Sequence, residues 1–191
     1  MTVFNKFPIR ENGIWDVNKE NALHLFDKDL SKFLCDFLKK EKAKSVVDIG
    51  CGLADYSNEI KKIGIDVFCY DGNPKIKENN GIIIKNVDLS KKCYMQICDW
   101  ALCIEVGEHI PKKYEENFID NLHRSNKNGI ILSWAIEGQG GDGHVNCKNN
   151  IYIKKIFNSL GYSNDIIVEK EIRKNSIYSW FKNTIMIFRK G

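Results

Sequence analysis

A chain of 191 residues has the length of one domain and can bury about 70% of the surface that its unfolded form exposes, so a single core is expected. With 43% hydrophobic and 28% charged residues it has the make-up of a soluble globular protein, and no apolar run of about 18 residues is present to span a bilayer as a helix. The net charge of +4 comes from Lys and Arg spread along the chain rather than blocked together, which permits a nucleic-acid partner without indicating one.

In chain order, residues 1–29 read as an irregular segment with Pro8 and Gly13 as breakers and Trp15 as an apolar anchor, either a lid over a ligand cleft or a tail packed on the core. Leu30, Phe33, Leu34, Phe37 and Leu38 then repeat at helical spacing. Next comes Ser45-Val-Val-Asp-Ile-Gly-Cys-Gly-Leu-Ala-Asp-Tyr56, a β-favouring run, a tight glycine turn and a helix start. Glycines at 50 and 52 let the backbone approach a ligand, and amide N–H groups at a helix start face the turn. The third glycine position of the dinucleotide fingerprint is Asp55, however. A carboxylate there repels a pyrophosphate, so NAD is disfavoured and a ligand without phosphates is expected.

Tyr56, Ile60 and Ile63 form a helix face that ends at Gly64, and Ile65 to Tyr70 is a second strand broken by Asp71-Gly72-Asn73-Pro74. Asp71 lies 19 residues beyond Gly52, where an acid at a strand end can accept hydrogen bonds from a ribose diol; the same four residues also suit a plain turn. Residues 81–87 give a third strand followed by Asp88-Leu89-Ser90, and Asp99 to Val106 a fourth. A helix over Tyr114, Phe118, Ile119 and Leu122 precedes a fifth strand at 129–134. After a glycine-rich loop, Tyr152 to Leu160 is helical, and Asp165 to Val168 and Thr184 to Phe188 read as two strands paired antiparallel. Strands alternating with helices make the fold class α/β, a doubly wound parallel sheet in a single domain over 1–191.

In such sheets ligands bind beyond the carboxyl ends of the strands. The glycine turn, Asp71, Asp88, the segment Glu105 to His109 and the loop Gly138 to His144 all follow strands, so they are expected on one edge. The seven cysteines include no C-x-x-C pair and no apolar leader opens the chain, so free thiols and a cytoplasmic location are expected.

The run Val47-Asp-Ile-Gly-Cys-Gly52 resembles the first motif of the class I S-adenosylmethionine-dependent methyltransferases, and Glu105-Val-Gly-Glu-His-Ile-Pro111 resembles the E-V-x-E-H-[IV]-P segment of small-molecule O-methyltransferases in that class. The likeness covers residues 44–135. It implies a Rossmann-like seven-stranded sheet with an antiparallel C-terminal edge hairpin, and S-adenosyl-L-methionine as cofactor. Cofactor contacts are then expected from Asp48, Gly50, Cys51, Gly52, Asp55, Asp71, Gly72, Asn73, Asp88, Leu89 and Glu105. Asp88 stands where the family holds the adenine amino group, with Leu89 offering its amide; a helix cap by Asp88 or Ser90 is the other reading.

Methyl transfer to a hydroxyl is an in-line displacement helped by a base. His109 is the first candidate for that base, with Glu108 or Glu105 orienting it and His144 as the second imidazole; hydrogen bonding within an ordinary loop is the alternative for each histidine. Glu105-x-x-Glu108-His109 with His144 also resembles the ligand set by which small-RNA 2′-O-methyltransferases hold a divalent cation, although E-x-x-E-H occurs in metal-free relatives too, and no metal ligand is assigned. The loop Ser133 to Asn146 looks like one carried by glycan-modifying methyltransferases, with Trp134 and Trp15 as stacking platforms, so the expected acceptor is a small-molecule or glycan hydroxyl. An RNA-terminal ribose, or a silent fold of this type acting as a binding subunit, are the other readings.

Overall fold

The computed structural model describes residues 8–22 and 25–191, so residues 1–7 of the expected N-terminal lid or tail, together with 23 and 24, lie outside the described residues. The core is a sheet of eight strands: β1 (Ser45–Ile49), β2 (Asp66–Asp71), β3 (Glu78–Asn79), β4 (Ile82–Asn86), β5 (Cys98–Cys103), β6 (Asn126–Leu132), β7 (Tyr162–Asn164) and β8 (Met186–Lys190). Their order is β3-β4-β2-β1-β5-β6-β8-β7. Strands β4, β2, β1, β5 and β6 run parallel, and β8 pairs antiparallel with both β6 and β7. This is the expected sheet with its reversed edge, plus the two-residue β3 paired antiparallel to β4.

Alternation along the strands sorts side chains to the two faces. Val46, Trp100, Leu102, Ile131 and Ile187 meet α1 (Lys28–Lys40), α2 (Asp55–Lys62) and α5 (Ile166–Asn175) on one side. Val47, Ala101, Cys103, Ile130 and Phe188 meet α3 (Glu115–Arg124) and α4 (Asn150–Ser159) on the other. Helix α1 starts where Asp27 Oδ1 accepts the amides of Asp29 and Leu30, and it buries Leu30, Leu34, Phe37 and Leu38. Each such leucine contributes about 1.5–3 kcal/mol by leaving water.

Three expectations need correcting. Asp165 to Val168 is the start of α5 rather than a strand: Asp165 caps it by accepting the Val168 amide at 3.1 Å, and Ile166 and Ile167 are exposed, so they gain nothing from a pleat. The edge strand is Tyr162–Asn164 instead. No helix bridges β4 and β5, so Asp88 and Ser90 cap only a turn, in which the Lys91 amide donates to the Asp88 carbonyl at 3.0 Å. The fourth strand stops at Cys103, because Glu105 takes φ +52°, a left-handed conformation that no strand continues through.

Candidate functional site

The carboxyl ends of β1, β2 and β5 open into a cavity of about 630 Å³, roofed by residues from both ends of the chain. At its floor is the turn after β1. Gly50 has φ +76°, and a Cβ on it would lie 2.4 Å from Val106 Cγ2, so the close approach of the post-β5 segment requires glycine there. The turn's amides are partly spoken for: those of Gly50 and Cys51 donate to the Tyr70 carbonyl at 2.8 and 3.1 Å, and that of Gly52 donates to Asp71 Oδ2 at 2.8 Å. Asp71 Oδ1 accepts the Asn73 amide at 2.7 Å. These bonds fix the carboxylate at the cavity wall with lone pairs left for a diol.

Asp48 is buried beneath the turn and accepts from Ser57 Oγ at 2.7 Å. Burial pushes its carboxyl up to about 7; the Ser57 hydrogen bond opposes that and the Asp71 charge adds to it. Cys51, Asp55, Gly72 and Leu89 also line the cavity, and Gly72 packs under Ile14. Asn73 lines it too, but its side chain is taken up by backbone, donating to the Val17 carbonyl at 2.9 Å and accepting the Lys75 amide at 3.0 Å. Asp88 does not reach the lining. It accepts from Ser90 Oγ at 2.6 Å and pairs with Lys91 at 3.3 Å; burial raises its carboxyl, but the bonds from Ser90, Lys91 and Asn12 outweigh that and hold it below the ordinary range.

The segment after β5 supplies the chemistry. Glu105 accepts from Gln139 Nε2 at 2.9 Å, and its own amide donates to Ser133 Oγ at 2.8 Å. Glu108 is fully buried, and its carboxyl is approached only by Glu105 and by the backbone of Glu108 and Ala135 among the described residues. Burial, then the nearby Glu105 charge, drives its carboxyl well above the usual range. Its backbone carbonyl accepts the amides of both Val145 and Asn146 at 2.9 Å, which folds the loop 136–147 down over the segment.

That fold brings the two loop histidines together. The His109 and His144 rings are 5.0 Å apart and edge-on, and one donor atom each from Glu108, His109 and His144 lies within 4.8 Å of the others. His109 Nδ1 is 3.3 Å from the Gly143 carbonyl and His144 Nδ1 is 3.2 Å from the Gln139 carbonyl. A carbonyl only accepts, so a proton on Nδ1 of either ring is what these two contacts call for. Imidazoles oriented by backbone carbonyls beside a buried carboxyl group suit either proton abstraction or a divalent cation.

The N-terminal stretch 8–17 is a hairpin across this edge, bridged at Ile9 and Trp15. Gly13 has φ +87° and sits so close that a Cβ would lie 2.1 Å from the His109 carbonyl oxygen. Trp15 meets the His109 ring edge-on at 5.3 Å. Trp134, expected as a platform, is instead fully buried, donating from Nε1 to the Asn146 carbonyl at 2.7 Å; it continues the buried face of β6 into the core. Trp180 and Phe181, which no motif pointed to, line the cavity in its place. The lining contains four carboxylates (Asp55, Asp71, Glu105 and Asp142) beside the raised carboxyl of Asp48 and, among the described residues, neither Lys nor Arg, although the chain carries a net charge of +4. Such a wall favours a ligand bearing positive charge, as a sulfonium and an ammonium do.

No family model and no curated protein matches the chain. Solved structures match over most of its length. Magnesium protoporphyrin IX methyltransferase (ChlM) from Synechocystis PCC 6803 with bound SAH superposes with a TM-score of 0.63 at 17% identity, covering 86% of each chain. The methyltransferase domain of bacterial CtHen1-C gives 0.61 at 18%, covering 85% of this chain and 98% of that one. The sugar N-methyltransferase KedS8 from Streptoalloteichus sp ATCC 53650 gives 0.66 at 8%, covering 85% and 87%. The chain therefore has the fold of these methyltransferases. All seven cysteines are free, and no helix among the described residues is long and apolar enough to cross a membrane.

Proposed function

We propose that this protein is an S-adenosylmethionine-dependent methyltransferase acting on a hydroxyl, and that the hydroxyl belongs to a sugar ring. The observation that carries the reading is the meeting of His109 and His144 on the cavity that also holds the glycine turn and Asp71. Gly50 and Gly52 give backbone access for the cofactor's amino-acid end, Asp71 accepts from its ribose, and Leu89 covers its adenine. When bound, the cofactor supplies the methyl group: the carbon–sulfur bond breaks as the carbon–oxygen bond forms, and the electron pair stays on sulfur. His109 Nε2 takes the acceptor's proton, and the Gly143 carbonyl fixes the ring for that step. Glu105 and His144 orient the acceptor.

The test is calorimetry with S-adenosylhomocysteine, followed by assay of labelled S-adenosylmethionine with uncharged glycosides. Wild type is expected to bind the first and to methylate a member of the second set. His109→Ala is expected to keep the binding and lose about 10²–10⁴-fold in kcat. Absence of binding by wild type sinks the reading.

One observation favours a second version of the chemistry. Ligand atoms of the buried Glu108 and of His109 and His144 lie within 4.8 Å of one another. These three residues would hold a divalent cation, which would polarise the acceptor hydroxyl. Equilibrium dialysis with Mn²⁺ separates the versions: retention by wild type and loss in His109→Ala favours the cation, and no retention by wild type leaves His109 as the base.

A further inference from the structure

Within the proposed methyltransferase reading, on which this rests, we infer that Trp180 is the acceptor platform and that the acceptor it selects is an uncharged, phosphate-free sugar ring.

The segment that carries Trp180 is built to hold an aromatic face still. Asp27 is fully buried; besides capping α1, its Oδ2 accepts the amides of Ile177 and Tyr178 at 2.7 and 3.3 Å, which fastens residues 177 and 178 to the start of that helix. Tyr178 stacks on Trp180 with centroids 4.4 Å apart and planes within 8°. Phe181, almost fully buried, backs the pair at 5.7 Å from Trp180. An indole clamped in this way loses little freedom when a ring settles on it, which is the condition under which aromatic stacking is most effective. Trp180 is half-buried: it packs against the core cluster that holds Phe181 and also lines the cavity.

What stands beside the platform sets the polarity of its partner. Three residues on from Phe181, Thr184 Oγ1 approaches Glu105 Oε1 at 3.5 Å, and Glu105 Oε2 holds Gln139 Nε2. Gln139 Oε1 is buried with no hydrogen-bond partner among the described residues. Carboxylate and amide oxygens only accept, so they call for ligand O–H groups, while the indole calls for a C–H face. A sugar ring offers both. A phosphate offers neither, and among the described residues the lining supplies no Lys or Arg to neutralise it while presenting Asp55, Asp71, Glu105 and Asp142 against it. A nucleotide sugar and an RNA terminus are both disfavoured on that ground.

The experiment compares methyl glycosides, the corresponding sugar 1-phosphates and an RNA oligomer as acceptors, with wild type, Trp180→Ala and Trp180→Phe. S-adenosylhomocysteine affinity is measured on all three proteins. Wild type is expected to turn over a methyl glycoside in preference to its phosphate and to the RNA. Trp180→Ala is expected to raise the glycoside KM about tenfold, and Trp180→Phe to restore most of it. Both variants should bind S-adenosylhomocysteine as wild type does, which shows that they fold. An unchanged KM in Trp180→Ala, preference for a phosphorylated acceptor or RNA, or no turnover of any glycoside by a wild type that binds S-adenosylhomocysteine overturns the inference. Loss of that binding in wild type strikes the methyltransferase reading itself and is distinguished by that measurement.

Discussion

Asn146 Nδ2 donates to Glu115 Oε2 at 2.9 Å, across 31 residues of sequence and inside the protein. Tyr152 donates to the other oxygen of the same carboxylate at 2.6 Å, and Lys112 pairs with it. Burial raises the Glu115 carboxyl, but these three partners more than offset that and hold it below its ordinary range. Because Asn146 also donates its amide to the Glu108 carbonyl, Glu115 positions the loop that carries His144 without touching the cavity. Glu115→Ala removes hydrogen bonds to a charged group, so a loss of about 2–4 kcal/mol is expected. Thermal melting should fall by about 5–12 °C. Glu115→Gln, which keeps one acceptor oxygen, should recover part of the stability, and equal melting points for Ala and wild type count against the role.

The N-terminal hairpin should detach on one change. Gly13→Ala forces a Cβ to within 2.1 Å of the His109 carbonyl oxygen and strains a backbone at φ +87°. The sheet is untouched by it. Limited proteolysis should then cut at Arg10 faster in the variant, with the melting point of the core little changed; equal cleavage rates contradict the packing.

Asp48 gives a pH dependence of known sign. Its folded carboxyl is raised to about 7, above an ordinary value of 3.8, so the folded state holds a proton that the unfolded chain releases. Stability from this group is therefore fully present below about 4 and declines as pH rises toward 7. Asp48→Asn should remove that slope. A cationic ligand above the turn favours the ionised form, so binding of S-adenosylmethionine should release a proton near neutral pH, measurable as a buffer-dependent heat that Asp48→Asn abolishes.

An opposite slope is expected at acid pH. Arg189 grips Glu41 through two bonds of 2.7 and 2.8 Å and Asp165 through a third of 2.7 Å, tying the end of α1 to the far edge of the sheet. The Arg189 hydrogen bond, outweighing burial, lowers the Glu41 carboxyl; burial raises that of Asp165, but Arg189 and the Val168 amide bring it below its usual value. This stabilisation is present above the unfolded values near 4 and is lost as pH falls through the folded ones. Arg189→Met should flatten the dependence below pH 4, as followed by urea midpoints.

Much of the site was legible because the rule for parallel sheets turns sequence order into position: Gly50, Asp71, Glu105 and His109 each follow a strand, and all four line the cavity. His144 was legible on the same edge as His109 and through the likeness to a shared ligand set, but the means of the contact, the Glu108 carbonyl holding two loop amides, was not. Asp88 reads either as an adenine contact or as a cap, because its position after a strand says nothing of direction; its oxygens turn to Ser90 and Lys91. Asp165 was misread because three β-branched or aliphatic residues follow it; the signal for a helix was the acid at its start and Glu169 in the first turn. Trp180 sits just before the four-residue helix Phe181–Thr184, too short for any period to reveal.

The charge of the acidic side chains that line the cavity has a bearing on the proposed turnover. S-adenosylmethionine carries one positive charge more than the S-adenosylhomocysteine left after the methyl group has gone. A wall of carboxylates therefore grips the reactant more firmly than what remains of it, and the grip loosens as the reaction completes. In the proposed reaction, methyl transfer would thus itself favour discharge of the spent molecule.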